Sequence, residues 1–155
     1  MQTRRDLLSH SVRVAGLLAT AGLLPSLALA QAGAWNKAAF DAKTLAEALK
    51  ALGAGAPVES KDVTITGPDI AENGAVVPIG ASTALPGAKR LLLLVEKNPN
   101  VLAAMFELSD AVEASVSARV KMGQSSNVYA VALMGDGKVL FAQKEVKVTL
   151  GGCGG

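Results

Sequence analysis

Ala114-Ser115-Val116-Ser117-Ala118-Arg119-Val120-Lys121 alternates apolar and polar residues without a break. In an extended chain successive side chains point to opposite faces, so Ala114, Val116, Ala118 and Val120 share one side. Ser115, Ser117, Arg119 and Lys121 share the other. One face buried and one wet is the pattern of an antiparallel strand lying on a core. On the C-terminal side, residues 128–134 and 139–150 flank Gly135-Asp136-Gly137, a hairpin turn signal. On the N-terminal side, Val63 and Ile65 alternate with Thr64 and Thr66. Residues 76–82 and 89–96 are further strands, set off by Asn73-Gly74, Pro86-Gly87 and Asn98-Pro99-Asn100. Leu91 to Val95 reads as a buried strand. Residues 101–108, with Leu102, Met105, Phe106 and Leu108, fit a helix or a strand, and their place between turns favours a strand.

Before the strands, Leu45, Ala48, Leu49 and Leu52 fall on one helical face, while Lys43, Glu47 and Lys50 fall elsewhere. The spacing predicts one helix over residues 36–52, with Asn36 or Asp41 capping its start and Gly53 ending it. Residues 53–57 then form a linker. About seven short strands, with turn signals about every ten residues, predict a mainly β chain: an antiparallel sandwich preceded by one helix. A mixed α+β domain is the alternative. The chain has no internal repeat, and its only low-complexity tract is the last five residues.

The chain's 155 residues suffice for one domain with a sizeable core. Half of them are apolar, yet the aromatic residues are only Trp35, Phe40, Phe106, Tyr129 and Phe141, so the core must be aliphatic. The 15 basic and 13 acidic residues are too evenly matched for strongly basic nucleic-acid binding. Arg4, Arg5 and Arg13 precede or open an uncharged apolar run over residues 14–24, and the first thirty residues end in Ala28-Leu29-Ala30. That layout predicts an export signal over residues 1–30, cleaved after Ala30. The apolar run falls short of the roughly 18–20 residues of a membrane-spanning helix. Thr3-Arg4-Arg5-Asp6-Leu7-Leu8 is similar to the twin-arginine export motif, whose pathway carries folded proteins. Removing residues 1–30 takes away three basic residues and Asp6, leaving 125 residues with 12 charges of each sign. It also removes His10, the single histidine, so the mature chain has no Ser-His-Asp or Cys-His arrangement and no imidazole for zinc. The mature chain, residues 31–155, is expected to be soluble, free of membrane and outside the cytoplasm.

Exported proteins normally use cysteines in pairs, whereas this chain has only Cys153. Its position fits neither a lipid anchor next to a signal peptide nor a prenylation motif. After Lys144-Glu145-Val146-Lys147-Val148-Thr149-Leu150, with Val146, Val148 and Leu150 on one face, the sequence ends Gly151-Gly152-Cys153-Gly154-Gly155. Glycine has no Cβ, so Gly151, Gly152, Gly154 and Gly155 give the segment a narrow cross-section and wide backbone freedom. Five residues reach at most about 17 Å. An ordinary exposed thiol has a pKa near 8.5, so little of it is thiolate at pH 7. No Lys, Arg or His adjoins Cys153 to change that. A catalyst needs its nucleophile held by supporting groups; a carrier needs reach, slimness and a reversible covalent bond. The composition therefore points to a covalent carrier on a swinging arm, residues 151–155, whose thiol is worked on by other proteins. The alternative is a structural subunit that uses Cys153 only for an intermolecular disulfide. A thiol oxidoreductase would lack the customary second cysteine.

Other constellations carry less. Asp69 with Glu72 and Asp110 with Glu113 are carboxylate pairs in turn-rich stretches, the setting of solvated loops, and receive no role. Nothing matches a phosphate-cradling loop, and Gly53-Ala54-Gly55 lacks the later glycine of a dinucleotide fingerprint. Asn73-Gly74 and Asn98-Pro99-Asn100 read as turns.

The chain resembles the SoxY family, the sulfur-carrier subunits of periplasmic thiosulfate oxidation. The resemblance runs through Thr44-Leu45-Ala46-Glu47-Ala48-Leu49-Lys50 and Pro68-Asp69-Ile70-Ala71-Glu72-Asn73-Gly74-Ala75-Val76-Val77-Pro78. It continues through Val95-Glu96-Lys97-Asn98-Pro99, Arg119-Val120-Lys121-Met122-Gly123-Gln124 and the tail from Val146 to Gly155, its most specific element. The resemblance implies an immunoglobulin-like sandwich, no enzymatic activity of its own and no cofactor beyond sulfur adducts on Cys153. It also implies an obligate heterodimer with a smaller β-rich partner, SoxZ. A haem-containing partner, SoxAX, would join thiosulfate to the thiol, the hydrolase SoxB would release sulfate, and further enzymes would oxidise the retained sulfane sulfur.

Overall fold

The run Leu91 to Val95 contains no polar side chain, so a strand built from it must be covered on both faces. The computed structural model, which describes residues 36–150, covers both. The strands are β1 (Pro57–Glu59), β2 (Val63–Thr66), β3 (Ile70–Ala71), β4 (Val77–Thr83), β5 (Ala88–Val95), β6 (Leu102–Glu107), β7 (Ser115–Val120), β8 (Ser126–Met134) and β9 (Val139–Val148). The larger sheet has the order β1-β9-β8-β5-β6, with β3 also on β9; the smaller has the order β2-β4-β7. Leu91, Leu93 and Val95 of β5 and Val128, Ala130 and Ala132 of β8 meet Val77, Ile79 and Ala81 of β4 between the sheets. Leu92, Leu94, Val131 and Leu133 lie on the opposite face and pack against Ala39, Ala48 and Leu49. The result is a mainly β sandwich with a helical layer on the outer face of its larger sheet.

The alternating stretch behaves as its pattern requires. Val116, Ala118 and Val120 pack toward the core and Ser115, Ser117 and Arg119 face water. The ambiguous stretch after Asn100 is a strand, β6, paired with β5. The hairpin between β8 and β9 turns through Gly137 at φ +89°, a left-handed conformation that glycine adopts without strain.

Two features depart from the sequence reading. The single helix is two, α1 (Lys37–Phe40) and α2 (Leu45–Ala51). Asn36 caps α1, and its amide also donates to the Ala51 carbonyl at 2.9 Å, tying the two helices together. Asp41 closes α1 rather than opening a helix, and Thr44 caps α2. The break falls where the Ala42 carbonyl accepts the Val101 N–H at 3.0 Å, a bond to the sheet layer that a continuous helix would forbid. α2 ends as expected: Gly53 has φ +68°, and the N–H groups of Gly53 and Ala54 return to Lys50 and Leu49. The second departure is β1 and β3, which join β9 in parallel, so the larger sheet is not wholly antiparallel. With three and two residues, they are too short to show an alternation.

Candidate functional site

β9 is the strand from which the tail continues, and its far end poses a hydrogen-bonding problem. β8 stops opposite it at the pair Ser126 and Val146, leaving the backbone beyond without a ladder on that side. Ser125 fills the gap with its side chain: its Oγ accepts the Val148 N–H at 2.9 Å and lies 3.5 Å from the Val148 carbonyl. On the other edge, Asp69 and Ala71 carbonyls accept the N–H groups of Lys147 and Thr149 at 2.9 and 3.1 Å. The Thr149 hydroxyl donates to the Glu72 carbonyl at 3.1 Å, and the Gly74 N–H donates to the Leu150 carbonyl at 2.8 Å. The last described residue is thus held at the surface by its own carbonyl.

The segment that does the holding is shaped by its sequence. The Asn73 side chain accepts the Ala75 N–H at 2.8 Å, the bond that makes Asn a turn former. This turn puts the Gly74 N–H on Leu150 while the Gly74 carbonyl accepts the N–H of buried Met122 at 2.7 Å. One residue back, the Lys121 carbonyl accepts from Asn98 Nδ2 at 2.7 Å, and Lys97 N–H donates to Ser126 Oγ at 3.0 Å. The stretches 68–78, 95–99 and 119–124 therefore meet at the end of the sandwich where the chain leaves it. Asn73-Gly74 and Asn98-Pro99 are turns, as their composition predicts, and they also brace this root.

Lys144 fastens the segment further, with Nζ 2.9 Å from Asp69 Oδ1 and 2.6 Å from the Gly67 carbonyl. The hydrogen bond from Lys144, and then its charge, hold the Asp69 carboxyl below the usual carboxylate range. Asp69 is thus paired with Lys144, and Asp110 is engaged by Lys89 at 2.9 Å. Ile70, Val76 and Leu150 are exposed apolar residues of the root. Two clefts among the described residues lie elsewhere. One of about 560 Å³ runs along residues 83–88 and 108–114, and one of about 440 Å³ lies among Thr44, Leu94 and Tyr129. Burial, and then the nearby Glu96 carboxylate, push the Tyr129 phenol upward. Among the described residues no group of three His, Cys, Asp or Glu could hold a metal, and no helix is long and apolar enough to cross a membrane.

Cys153, Gly151, Gly152, Gly154 and Gly155 lie outside the described residues, as do residues 1–30, the segment expected to be an export signal. Sequence reasoning missed Ser125, Thr149 and Gly74 as parts of the root. Nothing local marks them: Ser125 and Thr149 act on partners 23 and 77 residues away.

The family model described as sulfur oxidation protein SoxY matches residues 48–153, from α2 through the whole sandwich to the cysteine. The sulfur carrier protein SoxY from Chlorobium limicola f thiosulfatophilum superposes with a TM-score of 0.59 and 34% identity, over 66% of this chain and 92% of that one. Superoxide reductase (neelaredoxin) from Ignicoccus hospitalis superposes with a TM-score of 0.50 at 20% identity, over 56% and 79%, a likeness of fold alone. None of the curated proteins matches the sequence. Fold and family match together define a β-sandwich carrier domain of sulfur oxidation. The chain belongs to the SoxY family.

Proposed function

We propose that this chain holds the sulfur intermediates of thiosulfate oxidation covalently on Cys153 and presents them to partner enzymes, performing no catalysis itself. The observation that carries this reading is the surface anchorage of Leu150, the last described residue, three residues before the cysteine at which the family match ends. At about 3.3–3.6 Å per residue, the Cys153 backbone lies within about 11 Å of that anchor. Gly151, Gly152, Gly154 and Gly155 add no side chain to the arm, residues 151–155, so it is slim enough to enter a narrow channel.

In the first step the thiol and thiosulfate join through a new S–S bond. The thiol proton is released and two electrons pass to a haem-containing partner of the SoxAX kind. In the second, water attacks the terminal sulfonate sulfur of the adduct. Sulfate leaves, two protons are released, and a persulfide stays on Cys153 for oxidation by further enzymes. The sandwich, residues 31–150, binds a SoxZ-type partner. The setting is the periplasm, reached by twin-arginine export and removal of residues 1–30. No cofactor is required of this chain, because the metal and haem chemistry belongs to the visiting enzymes.

Intact mass spectrometry of the protein during thiosulfate turnover with its partners tests the reading. Sulfur adducts on Cys153 are expected, and Cys153→Ser should fold normally yet lose all thiosulfate-dependent turnover. A thiol that is only free or dimer-linked during turnover would overturn the reading, and a dimer-linked one would support disulfide assembly instead.

A further inference from the structure

We propose that Ser125 and Thr149 are positioning residues that set where the arm begins, suppressing backbone motion ahead of Gly151; this rests on the covalent-carrier reading. β8 ends at Ser126, yet β9 continues as an ordered strand through Val148 and is held through Leu150. β3 pairs with Lys147 and Val148 on one edge, and Ser125 holds the edge that β8 leaves open. A hydroxyl both donates and accepts, so one side chain stands in for the missing strand and serves the Val148 N–H at 2.9 Å and its carbonyl at 3.5 Å. Thr149 is exposed, and its hydroxyl nevertheless bonds the Glu72 carbonyl at 3.1 Å. Water could satisfy these groups at little cost to folding. The consequence of the bonds is therefore order at the root rather than stability of the core.

Order at the root matters to a carrier because each loosened backbone residue must be fixed again when the arm enters a partner. That re-ordering weakens engagement by roughly five- to thirtyfold per residue. A short, firmly rooted arm presents its sulfur at a defined distance from the sandwich; a loosened root lengthens the leash and blurs that distance.

The experiment uses the full chain in complex with its heterodimer partner, as Ser125→Ala and Thr149→Val, with Ser125→Thr and Thr149→Ser as hydroxyl-retaining controls. Amide exchange is followed at Gly74, Val148 and Thr149. Loading of Cys153 by the haem-containing partner is followed by mass, with the carrier as the varied substrate. The expected result is about tenfold faster exchange at the root and KM raised roughly five- to thirtyfold. The accompanying kcat should stay within about twofold, and the control variants should recover wild-type values. Alkylation of Cys153 by iodoacetamide should be unchanged, because a small reagent needs no ordered arm. Unchanged exchange, or faster exchange with unchanged KM, overturns the positioning role while leaving the carrier reading intact. Failure of the wild-type protein to load at all overturns the carrier reading and this proposal with it.

Discussion

Gly80, in the middle of β4, occupies a place where no side chain fits. A Cβ added there would overlap the Thr66 hydroxyl of the neighbouring strand and stand 3.1 Å from the Val116 carbonyl of the other. Both neighbours are pinned, the first by its β-branched side chain and the second by the ladder. Gly80→Ala is expected to destabilise the protein by about 1–3 kcal/mol, measured by urea denaturation. Adding Thr66→Ala should recover part of the loss and not all, since the Val116 carbonyl stays. At this scale the sequence is only half legible. Gly137 and Gly53 announce their turns through flanking residues. Gly80 is one glycine among apolar and hydroxyl residues, and its reason lies on two other strands.

The helical pair shows what is lost when elements are read one at a time. The apolar spacing of Leu45, Ala48, Leu49 and Leu52 belongs to α2 alone, and residues 37–40 form their own turn of helix against it. Thr44 starts the second helix, its side chain accepting the Glu47 N–H at 3.2 Å while the Glu47 carboxylate accepts the Lys43 N–H at 2.8 Å. Replacing Thr44 with Ala should cost about 1 kcal/mol, seen as a melting temperature lower by roughly 3–5 °C. A continuous helix would place this residue mid-helix, where Ala is the better former, and the same replacement would raise the melting temperature. β1 and β3 make a similar point. Each exists because β9 offers a free edge at that height, and neither carries enough residues to declare itself.

For the molecule as a whole, the decisive fact is that the larger sheet is buried on both faces at its centre. Leu92 and Leu93 are both fully buried, on opposite sides of β5. Leu92→Ala and Leu93→Ala should therefore each cost about 2–5 kcal/mol in equilibrium unfolding. A two-layer sandwich with one wet face would lose that much at only one of them. The unbroken apolar run of β5 foretold this burial, but not that two short helices supply the second cover.

What the sequence determined by itself was local in origin: which segments extend, where turns interrupt them, and that a lone thiol set among four glycines has no base beside it in the chain. Those properties reside in side chains and their spacing, so they can be read in order. Tertiary structure alone decided where the first helix breaks, which edge of β9 takes β1 and β3, and that Ser125, Gly74 and Thr149 secure the root of the tail. These rest on hydrogen bonds to backbone N–H and C=O groups. Because almost every residue carries the same pair, no side-chain pattern announces which of them will meet.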